Sequence, residues 1–417
     1  MFRKFFEPGA LLSFVGYRNL LISTTVTVVA FSAFPIALAV EILDAGGSAT
    51  ALGVILAVRV LSGVVLSPIG GVWVDRYSRK NLLIFSDTFR AIMSAAVIFF
   101  PVHTYSLWIL GVIVFFNGAS DAIGTPAAQS IIPSLLPDRL LPAGNVSRNL
   151  AIKGSSIAGP GIAGALVVAV GTRTTFIVIT AFFLIGAALL LKIEEPARTY
   201  IPSKTSHFMA EIREGLAIVW KHKWIAAMIA MASVQLMIVL GTENVMLPVI
   251  TKRVFGTPSV FAIAATLFSL GGAISAILSI KLKPKHPGLV CVSVWAVFAV
   301  APLVLAFPAT KLEIYICYFI AGTSVGPWEA FWSTQVQREI PAEFQGRVFA
   351  IDYMGSVGLM PLGMALAGPM TNFFGERQFL IGAAIFHLFI CGITLLVPGT
   401  KDMKSPGNSS QGEQIKA

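Results

Sequence analysis

The stretch "GGVWVDRYSRKN", Gly70 to Asn81, decides how the rest of the chain is read. It stands between two long apolar runs, yet places Asp75, Arg76, Arg79 and Lys80 within six positions, just after Gly70 and Gly71. Charge concentrated between greasy segments is the pattern of a short loop at a membrane surface. The flanking segments must then be long enough to cross, which takes about 20 mostly apolar residues per helix. Working outward from the loop gives twelve such runs: 18–43, 50–74, 82–103, 106–132, 145–170, 174–192, 224–250, 258–282, 288–308, 312–335, 348–373 and 378–398. They are continuous rather than alternating, which excludes a membrane β-barrel.

Composition agrees. The 417 residues are 56% hydrophobic and only 12% charged, against roughly 25% charged in a soluble domain. The fold class expected is therefore an all-α membrane protein of twelve transmembrane helices. The net charge of +10 invites a nucleic-acid reading, but its distribution argues otherwise. With both termini cytoplasmic, about 22 of the 30 Lys and Arg fall in inner segments, as the positive-inside rule requires. No basic stripe interleaved with aromatics occurs, so no nucleic-acid partner is expected. The start of the chain lacks a small-residue cleavage pattern, so the first apolar segment is expected to stay in the mature protein.

Catalytic and metal chemistry finds no foothold. Cys291, Cys317 and Cys391 are scattered through apolar runs, and the five histidines are equally dispersed. There is no H-E-x-x-H and no phosphate-binding glycine loop. No enzyme activity, metal or cofactor is expected.

The chain divides in the middle. Between the sixth and seventh runs, "TSHFMAEIREGLAIVWKHKW" puts Phe208, Ile212, Leu216, Val219 and Trp220 on one face of a helix and Glu211, Arg213, Glu214 and Lys221 on the other. Either an amphipathic helix at the inner membrane surface or a solvated linker follows. The expected organisation is a first half over 1–192, a cytoplasmic linker over 193–223, a second half over 224–398 and a disordered cytoplasmic tail over 399–417. The halves also repeat. "DAIGTPAAQSIIP" (Asp121 to Pro133) and "EAFWSTQVQREIP" (Glu329 to Pro341) match at a common displacement, pairing Asp121 with Glu329, Gln129 with Gln337, Pro133 with Pro341 and Arg139 with Arg347. Six helices plus six with internal repeats is the build of many secondary transporters.

Ionisable groups at membrane depth are expensive and are functional candidates by default. Asp121 and Glu329 are the first candidates for proton coupling, Glu243 the second, and Glu41, near the outer rim, the last. A carboxyl group in low dielectric favours its neutral form and can exchange protons near neutral pH. A structural ion pair, for instance of Asp121 with Lys153, is the competing reading. Arg59 and Lys153 are the cationic candidates at that depth. In the opening loop, Asp75 lies near the C-terminal end of a helix, where the macrodipole is already negative. A compensating positive group is required, and a charge latch that holds in one conformational state and releases in another would supply it.

These residues carry a resemblance. Gly71-x-x-x-Asp75-Arg76-x-x-Arg79-Lys80 resembles the loop signature of the major facilitator superfamily between its second and third helices, with Ser78 where a glycine is usual. The corresponding loop of the second half, "KLKPKHPGLV", keeps cations but has no acid, so a latch would be one-sided. Gly159-Pro160-Gly161-Ile162-Ala163-Gly164 is similar to the antiporter motif of helix five in facilitator-type exporters, with Ala163 for one glycine; Gly159, Pro160 and Gly164 would form a hinge. "EIREGLAIVWKHKW", "SDTFRA" (Asp87, Arg90), "IIPSLLPDRLLPAGN" and "EIPAEFQGRVFA" resemble the twelve-helix branch that includes enterobactin and macrolide efflux proteins. The resemblance implies two pseudo-symmetric halves of six helices in the plasma (inner) membrane and a cavity between helices one, four, seven and ten. Phe31, Phe34, Asn117, Gln235, Trp328 and Trp332 are the candidate lining, suited to an amphipathic organic substrate. The function it implies is export of a small drug- or siderophore-like compound by proton antiport, from a monomer in the lipid bilayer. Facilitated uptake, or a non-transporting membrane sensor of the same fold, is the alternative.

Overall fold

In the computed structural model the described residues are 10–100, 107–195 and 208–404; within them the side chains of Pro68, Asp75, residues 208–212, Ala342 and Glu343 lie outside the description. The described chain is helical, with no strand. That follows from the solvent: in hydrocarbon each backbone N–H and C=O must be satisfied within its own segment.

The helices are α1 (Val15–Asp44), α2 (Ala49–Arg76), α3 (Arg79–Phe99), α4 (Leu107–Ser130), the short α5 (Ile132–Leu135) and α6 (Leu141–Leu191). Then come α7 (Phe208–Lys221), α8 (Lys223–Gln235), α9 (Thr242–Phe255), α10 (Ser259–Ser279), α11 (Pro287–Ala296) and α12 (Val300–Ala306). The last are α13 (Lys311–Gly322), α14 (Val325–Glu339), α15 (Ala342–Gly358), α16 (Met360–Phe374) and α17 (Glu376–Leu396). Ten stretches among the described residues are long and apolar enough to cross a membrane.

Ten and twelve are reconciled by two departures from ideal helix. The expected spans 145–170 and 174–192 join in α6 across Gly171, whose φ of 81° turns the chain in the left-handed region that glycine reaches without strain. The expected span 312–335 is not one continuous helix but α13 followed by α14, broken at Thr323 and Ser324. Pro327 explains the break, because its ring opposes the carbonyl four residues earlier and it donates no hydrogen bond. Thr323 and Ser324 turn their hydroxyls back onto the Ile320 and Ala321 carbonyls, each at 2.6 Å.

The chain forms two compact units, one of residues 1–201 with 256–266, the other of 202–255 with 267–417. In the first, Tyr17, Leu20, Val74, Leu82, Ile131, Ile132 and Leu190 share a buried cluster. In the second, Trp224, Met228, Trp295, Trp332, Val336 and Met403 do so. The expected amphipathic helix is α7. Its Glu214 pairs with Arg347 of α15 at 2.9 Å. Val219 turns into the core while Trp220 is 72% exposed; Phe208 and Ile212 lie outside the described side chains.

The expected tail over 399–417 needs correcting at its start. Residues 399–404 form a turn in which Thr400 and Met403 are fully buried. The N–H of Leu289 donates to the carbonyl of Lys401 at 3.0 Å, so this segment is tied to the beginning of α11. Residues 405–417 lie outside the described residues.

Candidate functional site

Each unit has a buried polar node, and the two are built from different chemistry. In the first unit, Arg90 of α3 lies between two carboxylates. Its Nη1 donates to Asp87 Oδ1 at 2.9 Å and its Nη2 to Asp121 Oδ1 of α4 at 2.6 Å. Thr27 of α1 donates to the other Asp87 oxygen at 3.0 Å. Beside them Arg59 of α2 donates through Nε to Asn117 Oδ1 of α4 at 3.2 Å. Its guanidinium carbon stands 4.4 Å from the centre of the Phe31 ring and 5.7 Å from that of Phe34. Two cations and two anions thus balance inside one helical bundle. Asp121, expected as a proton carrier, is an ion-pair partner of Arg90, with its side chain one-quarter exposed.

In the second unit the corresponding node is aromatic. The indole N–H of Trp295 donates to Gln235 Oε1 at 2.5 Å, and the Gln235 amide donates to the carbonyl of His387 at 3.2 Å. Trp295 lies 5.0 Å from Trp328 and 5.9 Å from Phe298, centre to centre. Trp328 continues to Trp332 and Trp332 to Trp224, at 6.3 and 5.9 Å. Trp332 also donates to Asp352 Oδ2 at 2.9 Å. Gln235 and Trp332 are buried among these partners, and Trp328 is half-buried.

The two nodes occupy the same places in the repeat. The displacement of 208 residues that carries Asp121 to Glu329 also carries Thr27 to Gln235, Asp87 to Trp295, Arg90 to Phe298 and Ser120 to Trp328. The Thr27–Asp87 and Gln235–Trp295 hydrogen bonds are one contact made twice. The pair Asp121 and Glu329 is not alike in setting: Asp121 is half-buried against Arg90, whereas Glu329 is exposed.

Glu243 opens α9 and is 3% exposed. The Tyr318 hydroxyl of α13 donates to its Oε2, and its Oε1 has no hydrogen-bond partner among the described residues. Just before α9, Leu236–Gly241 is a single π-helical turn, a distortion frequent at functional sites. The turn rests on the junction of α15 and α16: a Cβ on Gly363 would meet the Met237 carbonyl oxygen at 1.7 Å, and one on Gly241 that of Met360 at 2.9 Å.

The signature loop is closed by an acid that lies far away in sequence. Ser78 caps α3, accepting from the N–H of Asn81 at 3.2 Å. Its hydroxyl donates to Glu195 Oε2 at 2.6 Å, and the N–H groups of Arg79 and Lys80 donate to the same carboxylate at 3.3 and 3.0 Å. Lys80 Nζ reaches the Leu191 carbonyl at 3.0 Å. The carboxylate complements the positive end of α3, and the ammonium the negative end of α6. Arg76 is exposed. The Asp75 side chain lies outside the described residues. Of the two glycines, Gly70 is the close-packing one: a Cβ there would meet the Ala122 carbonyl oxygen at 1.8 Å, whereas one on Gly71 would meet nothing within 4 Å among the described residues. The second half is not without its acid either. His286, which precedes α11, contacts Asp402 at 2.5 Å, so both third helices are held by the chain that leaves the sixth helix of their half.

Gly159 packs on α1, where a Cβ would lie 2.6 Å from that of Ser32, and Pro160 is buried within α6. A Cβ on Gly164 would overlap that of Ala262 at 2.0 Å. Glu41 accepts from Thr172 at 2.5 Å, just past the Gly171 turn, which places it at helix ends. Sequence reasoning singled out four carboxylates and left out Asp87 and Asp352, although both fall inside expected spans. Asp87 and Arg90, three apart in an apolar helix, were the available signal. Tyr318, Trp295 and Glu195 carry no such local signal.

Comparison with known proteins places this geometry. The major facilitator superfamily model matches residues 20–363. Macrolide efflux protein A of Streptococcus pyogenes is 25% identical over 359 residues, covering 84% of this chain and 86% of that protein. The multidrug efflux pump Tap of Mycolicibacterium fortuitum is 25% identical over 376 residues, covering 87% and 90%. Among solved structures, a bacterial homologue of the human lysosomal transporter Spinster aligns with a TM-score of 0.72 at 16% identity, over 95% of this chain and 99% of that one. The nucleoside transporter NupG aligns with a TM-score of 0.69 at 13% identity, over 91% and 98%. The chain belongs to the major facilitator superfamily.

Proposed function

We propose that this facilitator exports small amphipathic organic compounds across the plasma membrane, exchanging them for protons by alternating access. The observation that carries export is similarity along 84% and 87% of the chain to proteins named for macrolide and for multidrug efflux. Coupling falls first to Glu243. Its buried carboxyl group has one oxygen engaged by Tyr318 and the other without a partner among the described residues, so a proton can be gained or lost there without dismantling an ion pair. Asp121 is the second carrier, and its protonation would release one arm of Arg90. Asp75, with Gly71, Arg76, Arg79 and Lys80, is the conformational latch, acting beside the Glu195 clamp. The protein works as a monomer with both termini cytoplasmic.

Everted vesicles suspended in a medium containing an amphipathic dye test this. Dye should leave the medium when the vesicle lumen is made acidic, and the movement should stop when the gradient is collapsed. Transport indifferent to the gradient would end the proton reading. No transport of any dye or macrolide in a broad panel would end the export reading.

A further inference from the structure

The first unit holds two hydrogen-bond donors that its own side chains leave unused. Arg59 is 8% exposed and Asn117 1%, and Arg59 Nη2 and Asn117 Nδ2 are both buried without a hydrogen-bond partner among the described residues. They belong to neighbouring side chains, joined by the 3.2 Å bond from Arg59 Nε to Asn117 Oδ1. A buried donor left unmet is unfavourable. The pair is not structurally idle in other respects: the guanidinium stacks on the Phe31 ring at 4.4 Å, which fixes its plane. Phe31, which the guanidinium faces, is half-buried, as is Asp121.

Charge decides what would fit. Arg59 and Arg90 are balanced by Asp87 and Asp121, and Arg90 is already committed to both acids. An anionic ligand would leave an excess negative charge in a buried setting, and a cationic one would face Arg59 directly; an unpaired buried charge is costly in either case. A neutral oxygen with two lone pairs meets both donors and upsets no balance. We propose that Arg59 and Asn117 form a binding site for the neutral carbonyl oxygen of an aromatic or otherwise flat apolar substrate, whose ring system lies against the half-buried Phe31. This deepens the export reading and rests on it: the substrates selected are uncharged at the point of contact and are chosen by a carbonyl group.

The test uses two flat tricyclic probes at a pH where both are uncharged: N-methylacridone, which carries a carbonyl with two lone pairs, and acridine, whose acceptor is the single lone pair of a ring nitrogen. Binding is read by fluorescence on the full chain in lipid nanodiscs. The wild-type protein should bind N-methylacridone about tenfold more tightly than acridine, the size expected of charge-assisted hydrogen bonds. Arg59→Gln and Asn117→Leu should each erase that preference. Arg59→Lys, which keeps the charge but not the planar fork, should erase most of it and guards against a variant that fails to fold. A wild-type protein that does not bind N-methylacridone, shows no preference, or keeps its preference in the folded variants overturns the assignment. Ethidium flux in proteoliposomes of the same preparations separates the two readings. Flux without carbonyl preference removes the site and leaves export standing, whereas preference without flux of any dye does the reverse.

Discussion

Where the first unit places a salt-bridged triad, the second places a stack of indole rings, at positions that the internal repeat makes equivalent. Asp87, Arg90 and Asp121 answer to Trp295, Phe298 and Glu329, and Thr27 answers to Gln235. The frame is kept, because in both units the first helix donates or accepts a hydrogen bond to the third at the same point. The chemistry hung on that frame has diverged. An ionic node is stable only while every charge has its partner, and each partner change carries a large energetic penalty. An aromatic node is held by many small contacts and tolerates the loss of any one. The first unit is therefore suited to switching, and the second to a firm wall.

The largest expected effect breaks this contrast at its centre. Arg90→Met leaves the buried Asp87 and the half-buried Asp121 without their cation and should lower stability by about 3–5 kcal/mol. Phe298→Leu, the matched change in the second unit, keeps an apolar side chain but loses the ring contacts with Trp295 and Phe268, and should cost about 1–2 kcal/mol. Thermal unfolding of the two variants in the same detergent measures both. Equal losses would mean that the two nodes do not differ in kind.

Next in size is the effect on coupling. Glu243→Gln keeps the shape of the side chain but removes the exchangeable proton, and should reduce gradient-driven transport by about tenfold or more. Tyr318→Phe removes only the hydroxyl that orients the carboxyl group, and should act in the same direction by a smaller factor. Asp121→Asn should lower transport and stability together, because it also loosens Arg90. Should Asp121→Asn abolish the response to pH while Glu243→Gln spares it, coupling belongs to the ionic node instead.

A smaller loss is expected from Trp295→Phe. It keeps an aromatic ring beside Trp328 and Phe298 while deleting the indole donor to Gln235 and part of the ring volume. About 1–2 kcal/mol is expected, because the buried Gln235 oxygen then goes unmet. Adding Gln235→Leu should restore much of it, as removing both partners usually does.

The sequence made some of this legible and hid the rest for identifiable reasons. Long apolar runs and inner-side cations were enough for a helical membrane fold, and the match of Asp121 with Glu329 exposed the repeat. The break at Thr323 and Ser324 could have been placed from Pro327, whose effect reaches four residues back. The equivalence of Asp87 with Trp295 could not be read from residue type, because the two share no chemistry. Glu195 and Asp402 each act on a helix start more than a hundred residues earlier in the chain, and no local pattern points that far. The π-turn before Glu243 likewise leaves no mark in composition.

The same divergence recurs at the helix starts, where the smallest effect is expected. In the first unit Glu195 accepts two backbone N–H groups and the Ser78 hydroxyl, all at the positive end of α3. In the second unit the carbonyl of Lys401 takes the backbone role, and Asp402 meets His286 where both side chains are more than half exposed. Glu195→Gln keeps the shape but removes the charge that complements the helix dipole, so about 0.5–1 kcal/mol should be lost. Asp402→Asn touches only an exposed pair and should cost a few tenths of a kcal/mol, falling further in high salt. Hydrogen exchange at the first turns of α3 and α11 resolves the difference directly: protection should fall at Arg79 and Lys80 in the first variant and stay nearly constant at Leu289 in the second. Equal losses at both sites would show that the backbone contact of Lys401 contributes little, and that the two clamps depend on their acids alike.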